Sequence, residues 1–515
     1  MLRPKAQRLV LKLDFDITQS GLVFPHSIRA IRMTQTPTID RLRQLPSLAG
    51  LCSLERAVAL GEGKPTGEPI WSVEHSTQRL KRLHYVLKRL CETFTAWIPS
   101  EPIYELKTLF SHHAYLCAEQ VDLLRRRVSE MREPPLGLER IPHTGLEMLL
   151  DEIVAAPTTQ ERLWGVYSVT LPAEVEACTR LQRDAHPLAD APTVRVAKLI
   201  HFELSEALNV GQECIAVLIA DSVPAELRSW SHELQQCLAA AGELDGTYVG
   251  AATLPAARYS RESFVFSSEP QRDERFQDSF NAGVNPEAFL YDERFSPQDK
   301  TLMMHYKRLR ELDVPEMMAS ILFELREQEP WEFHYEMTRQ MWDEARHAMM
   351  GEVGFASLDI DWSQIPINFT WSRNLNSQLD ARERHGVLFF IEQGLMPRTG
   401  KRYEWEVGLA SGQPLSGLFQ DFDWADEVLH AQIGRRWYVP RYKSLNQALE
   451  YGDKCWSKVL SHWRAYREQG LTEHRNWWPE LYRLACERWD KTPDPTAMAF
   501  AETYENSRAD LQKLS

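Results

Sequence analysis

The chain has 515 residues, 43% of them hydrophobic and 26% charged, with a formal net charge of −14 at pH 7. That length exceeds a single hydrophobic core and points to two or three folded units of ordinary globular composition. The acidic balance offers no basic footprint for nucleic acid or an anionic membrane, so neither is expected as a partner.

The opening stretch MLRPKAQRLVLKLDFDITQ has no apolar run of signal-peptide length. Residues 8 to 17 read as a short strand, and irregular sequence follows to residue 70. No window approaches the ~18 apolar residues of a membrane span. Eight scattered cysteines without a C-x-x-C pair read as reduced thiols of a cytoplasmic protein.

Helical periodicity takes over near residue 75. Candidate helices cover 76–97 and 101–133, the second with Pro102 in its first turn and Pro134 and Pro135 at its end. A third lies within 145–185 and a fourth covers 192–219. Together they predict an antiparallel helical bundle over 71–240. Residues 241–297, rich in Gly, Ser, Pro and charge, read as a linker or as loops packed over a neighbour. Helices resume near Pro297 and form a second bundle over 298–440, and 441–515 reads as a Trp-rich helical appendage. The expected fold class is all-α.

Within the second bundle, MWDEARHAMMGE places Glu344 and His347 three apart on a helix, and so on one face. With sixteen histidines, on the order of one E-x-x-H is expected by chance. The chain has two, Glu344–His347 and Glu427–His430, and an Asp precedes each Glu: DEARH and DEVLH. A dinuclear site in a four-helix bundle needs two such helices plus one carboxylate from each of two others. Pro330 starts the DEARH helix, so Glu344 lies about fourteen residues in, roughly 20 Å at helical rise. On the preceding helix the carboxylate at matching depth is Glu316, with Glu311 and Asp313 as fallbacks. In the second half Pro414 opens the DEVLH helix. The helix before it carries Glu392 in an apolar run where a lone carboxylate is costly unless paired or bound to metal. Glu392 is preferred to Glu383 and Glu404, which sit among charges.

Four carboxylates and two imidazoles suit two first-row divalent ions, iron or manganese before zinc. Asp343 and Asp426 are then expected to accept from the non-ligating N–H of a metal-bound His, with Arg346 balancing their charge. The N-terminal bundle also carries His112, His113 and Glu119 on one helix and His201, Glu203 and Glu206 on another. Asn209 stands where an E-x-x-H would need His, so that bundle reads as metal-free.

The order Glu … DEARH … Glu … DEVLH resembles the ferritin-like di-iron carboxylate superfamily over roughly 300–440. The run RELDVPEMMASILFEL…MWDEARHAMMGE is also similar to a ferritin-like family of unassigned function. The resemblance implies Glu316, Glu344, His347, Glu392, Glu427 and His430 as ligands of two iron ions, with manganese or a mixed Mn/Fe pair as variants. It also implies O2 activation, oxidation of a small organic substrate at a C–H or N–H bond, and a separate electron donor; a homodimer is compatible with it. Two positions depart from related subgroups. Gly351 stands where radical-generating reductase subunits carry tyrosine, and it is expected to leave open space beside the metals. Asp423 stands where N-oxygenases carry an additional histidine, and it reads as an extra oxygen ligand or a base behind the ligands. Ferritins are short single bundles, so iron storage is disfavoured. The rival readings are a non-catalytic metal-binding or scaffold protein and a redox-inert dinuclear hydrolase.

Overall fold

The computed structural model describes residues 38–42, 44, 58, 71–132, 137–219, 223–248, 250, 253–281, 283–459 and 463–503. Residues Met1–Leu51 and Cys52–Ser515 separate into two units, and the larger one carries every feature below. The strand expected over 8–17 lies outside the described residues, and all regular structure within them is helical.

Helix α1 (Val73–Ser100) starts where the Ser72 hydroxyl accepts from the His75 amide, satisfying one of the free N–H groups of a helix start. A three-residue connection leads into α2 (Tyr104–Ser129), which folds back along it. The third expected helix is broken in two places. Thr158 caps a new start after Pro157, and a π-helical turn at Gly165–Thr170 precedes α3 (Leu171–Asp184). Helix α4 (Ala191–Leu218) follows, and a helix over Ala225–Ala240, packed on one over Thr144–Val154, completes the first block.

The second block opens with α5 (Pro297–Arg310), capped by the Ser296 hydroxyl on the Asp299 amide. A break at Glu311 and Leu312 separates it from α6 (Asp313–Glu324). Pro330 then sits at the N-cap of α7 (Trp331–Ala356), the DEARH helix. A short α8 (Thr370–Gln378) follows, then α9 (Ala381–Gly394), held at its start by a reciprocal Asp380–Glu383 capping box. The 397–413 connection is partly helical, as α10 (Lys401–Ala410), and α11 (Pro414–Trp437) opens with its proline in the first turn, where no N–H is needed. Helices α12 (Leu445–Val459) and α13 (Trp478–Arg488) follow, with short helices at Trp463–Glu468 and Pro495–Met498.

The two blocks are not separate bundles. One apolar core runs from Leu80, Phe94 and Val121 on α1 and α2 to Met318, Met337 and Leu388 on α6, α7 and α9. Helices α1 and α2 pack directly on α6 and α7. The 241–297 stretch is largely non-helical and packs over its neighbours, with Arg272 reaching α6. Trp477 and Trp478 of the tail are buried in a second apolar cluster with Phe289 and Tyr306, a packing role for that Trp-rich segment. The crossing of α5 over α7 is close: a Cβ on Gly351 would lie 2.2 Å from the Leu309 amide nitrogen and 2.5 Å from the His305 carbonyl oxygen. The expected open space at Gly351 is therefore filled by the backbone of α5, and glycine is what that contact requires.

Candidate metal centre

Glu344 and His347 project from α7, Glu427 and His430 from α11, and Glu392 from α9. All five are buried and converge in one place with Glu311, the residue that ends α5. Two groups of donor atoms result. The first comprises Glu344, Glu392, Glu427 and His430; the second draws on Glu311, Glu344 and His347, with Asp423 and Glu427 adjoining.

Glu344 faces both groups. Its Oε1 lies 3.2 Å from His430 Nδ1 and its Oε2 lies 3.5 Å from His347 Nδ1. Around His430 Nδ1 stand Glu427 Oε2 at 3.5 Å and Glu392 Oε1 at 3.8 Å. Around His347 Nδ1 stand Glu311 Oε2 at 3.6 Å and Asp423 Oδ1 at 3.5 Å. Behind the imidazoles the two motifs hold each other crosswise. Asp343 Oδ2 is 3.4 Å from His430 Nε2, and Asp426 Oδ2 is 3.3 Å from His347 Nε2. An Asp that accepts from Nε2–H leaves the Nδ1 lone pair aimed at the carboxylates. Arg346 bridges the two aspartates, with a short contact to Asp343 and 2.8 Å to Asp426. Arg339 donates to Asp343 at 2.9 Å from the same helix.

The electrostatics express carboxylate crowding. Burial, reinforced by Glu427 beside it, pushes the Glu392 carboxyl well above its usual range. Burial would also raise Glu344, yet His347 and His430 hold it down to about 2. Burial acts to lower His430, but Asp343, Glu344 and Glu427 override it and push that imidazole well above its usual value. A set of this kind attracts cations.

Whether the residues fit metal ions is tested by their unused atoms. His347 Nδ1, His430 Nδ1, Glu311 Oε2, Glu392 Oε2 and Glu427 Oε2 are all buried and all lack a hydrogen-bond partner. Five orphaned donors aimed into one volume is the arrangement that coordination to first-row ions satisfies, since burying such atoms unpaired is costly.

Glu316 is placed elsewhere. It is fully buried, but its carboxylate is 2.8 Å from Lys107 Nζ and 2.9 Å from Arg272, and it accepts from the Ser372 hydroxyl at 2.6 Å. All its capacity is spent in that ion-pair cluster; of the two fallbacks, Asp313 pairs with Arg272 there and Glu311 joins Glu344 and His347. Depth along the α6–α7 hairpin is the right coordinate but leaves the facing direction undetermined. The break at Glu311–Leu312 turns Glu311 toward α7, while Glu316 faces α2 and α8. Asp423 is held by Lys401 at 2.9 and 3.0 Å and by a short contact from Arg308, so its negative charge is already matched.

Lys401 and Arg308 are the residues that sequence reasoning missed. Both are fully buried, and Lys401 Nζ lies 2.8 Å from Glu427 Oε1 while Arg308 lies 2.8 Å from Glu311 Oε1. Neither stands in a recognisable motif; only their burial among carboxylates marks them. In the first block, His113 Nδ1 lies 2.7 Å from Tyr167 Oη, His112 packs against the Trp342 ring, and Gln120 donates to Glu203.

A cavity of about 250 Å³ reaches the cluster. Glu311, Glu344, Glu392 and Glu427 form part of its lining, and Met317, Leu375, Leu388 and Leu395 supply apolar wall. Trp371 and Trp456, stacked with centroids 3.6 Å apart, close another side. No described helix is long and apolar enough to cross a membrane. Comparison with protein-family models, curated proteins and solved structures gave no match.

Proposed function

We propose that the protein is a metal-dependent oxidase or oxygenase, using iron or a manganese/iron pair to activate O2 against a small organic substrate with an apolar body. The observation that carries this reading is the convergence of five buried donor atoms without hydrogen-bond partners, three of them on carboxylates that line a cavity with an apolar wall. Bound there, redox-active ions would supply the electrons and coordination positions for O2 chemistry that protein side chains lack.

The chain's own groups perform the supporting tasks. Glu344, Glu392, Glu427 and His430 would hold one ion; Glu311, Glu344 and His347 would hold the other. With metal bound, Asp343 and Asp426 would keep each imidazole in the tautomer that presents Nδ1, and Arg346 would balance the pair of aspartates. The Met317, Leu375 and Leu388 wall would accept the apolar part of a substrate. A cavity of about 250 Å³ limits that substrate to a small molecule.

The test is elemental analysis followed by anaerobic ferrous loading and an O2 pulse. The expected result is retained iron or manganese, a transient visible absorbance and O2 uptake that rises when substrate is added. Protein that retains neither metal after reconstitution overturns the reading. Slow ferroxidation with no product under any substrate overturns catalysis and leaves metal binding or scaffolding as the function.

A further inference from the structure

The two halves of the centre are not equivalent. Glu344 spans them symmetrically, one oxygen toward His430 and the other toward His347. Glu427 has the same opportunity and does not use it. Its Oε2 faces His430, but its Oε1 is taken by the Lys401 ammonium at 2.8 Å. Lys401 also lies 2.9 Å from Asp423 Oδ1 and 3.9 Å from Glu311 Oε1, and its side chain is completely buried. Arg308, equally buried, holds Glu311 Oε1 at 2.8 Å and makes a short contact with Asp423. Two basic side chains, Lys401 and Arg308, therefore stand on the His347 side. Nearest the His430 donors, Gln340, a neutral amide, donates to Glu392 at 3.2 Å.

We propose that Lys401 is an internal competitor for the second metal position: its ammonium holds the bridging oxygen of Glu427, so the His430 half binds one divalent ion tightly and the His347 half binds a second only weakly. The inference rests on the metal-centre reading given above. Its physical basis is direct. The His430 half offers an imidazole and three carboxylates, and Lys401 touches this set through Glu427 Oε1, while the other Glu427 oxygen, Oε2, is the one facing His430. The His347 half keeps its imidazole, Glu344 Oε2 and the orphaned Glu311 Oε2, but loses the fourth donor to an ammonium that also repels an incoming ion. A charge-assisted N–H···O bond in a dry interior is not easily displaced.

The experiment titrates full-length apoprotein with Mn(II) and follows bound metal by equilibrium dialysis and by electron paramagnetic resonance. The parent chain is expected to bind about one ion per chain as magnetically isolated Mn(II), with the second on the order of 100-fold weaker. Lys401→Met, which keeps the length and removes the charge, is expected to bind about two ions with similar affinity and to show an exchange-coupled pair. Lys401→Arg is expected to keep the one-ion behaviour, which separates charge from packing. Two ions of equal affinity in the parent overturn the proposal and leave the functional reading standing. So does a soluble, helical Lys401→Met that still binds one. A parent that binds no ion overturns both. If Lys401→Met fails to fold, the affinities measured on the parent still decide the matter.

Discussion

Two buried acidic clusters in this molecule look alike on a burial map and behave oppositely on inspection. Both oxygens of Glu316 have a cation or hydroxyl in reach, from Lys107, Arg272 and Ser372, while the neighbouring Asp313 Oδ2 and Arg272 Nη1 go without a hydrogen-bond partner. Lys107 also donates to the Ile98 and Pro99 carbonyls at 2.8 and 3.0 Å, tying that cluster to the end of α1. Around Glu344, five buried atoms lack a hydrogen-bond partner and face one another's charges at 3.5 Å or more, Glu344 Oε1 at 3.2 Å from His430 Nδ1 excepted. Burial alone does not distinguish a structural ion pair from a metal centre. The inventory of satisfied atoms does.

The sharpest way to break that comparison is to remove a partner from the satisfied cluster. Lys107→Ala leaves the Glu316 charge short of one partner in a dry core and is expected to cost about 3–5 kcal/mol of stability, while metal content stays at the parent level. Denaturant unfolding and elemental analysis on the same preparation check it; a parallel loss of metal would merge the two clusters into one system.

The converse substitution, Glu344→Ala, removes the one carboxylate that faces both imidazoles. Metal affinity is expected to fall by more than about 100-fold, a loss near ~3 kcal/mol, with helicity by circular dichroism unchanged. A variant that binds metal as well as the parent would show that the orphaned atoms are not ligands.

Gly351→Ala tests how far the helix crossing sets the centre. The added Cβ meets α5 backbone, which cannot step aside like a flexible side chain. A loss of about 2 kcal/mol is expected from overpacking, visible as a lowered Tm. Because Glu311 hangs from the end of α5, the weaker of the two metal positions should lose affinity with it. An unchanged Tm would mean that the crossing is looser than the structure has it.

Asp343→Asn is the mildest change. It keeps the shape but weakens acceptance from His430 Nε2–H and frees Arg346 of one partner. Metal affinity is expected to drop about 10-fold, read from a competition titration with a chelator of known affinity. Since the motifs are crosswise, the loss should appear at the His430 half; loss at the His347 half would contradict the geometry.

Much of the centre was legible in the chain. Two DExxH turns fix four donors and both aspartates, because three-residue spacing puts side chains on one helix face wherever the helix lies. Glu392 could be picked out because it is a lone acid in VLFFIEQGL, where nothing nearby in sequence satisfies it. Prolines 297, 330 and 414 mark three helix starts where the structure has them. Glu311 against Glu316 was not decidable in this way. Five residues apart on neighbouring helices, the two differ in what they face, and that depends on the break at Glu311–Leu312 and on Lys107 arriving from α2.

The sequence by itself determined an all-α class, which holds among the described residues, and a paired set of Glu and His side chains, since both follow from local periodicity and spacing. Only the tertiary structure decided that the two helical blocks share one core, that Asp343 serves His430 and Asp426 serves His347, and that Lys401 and Arg308 sit among the carboxylates. These are contacts between residues far apart along the chain. Which charge meets which is set by how whole helices cross, at positions such as Gly351, and no local pattern carries that information.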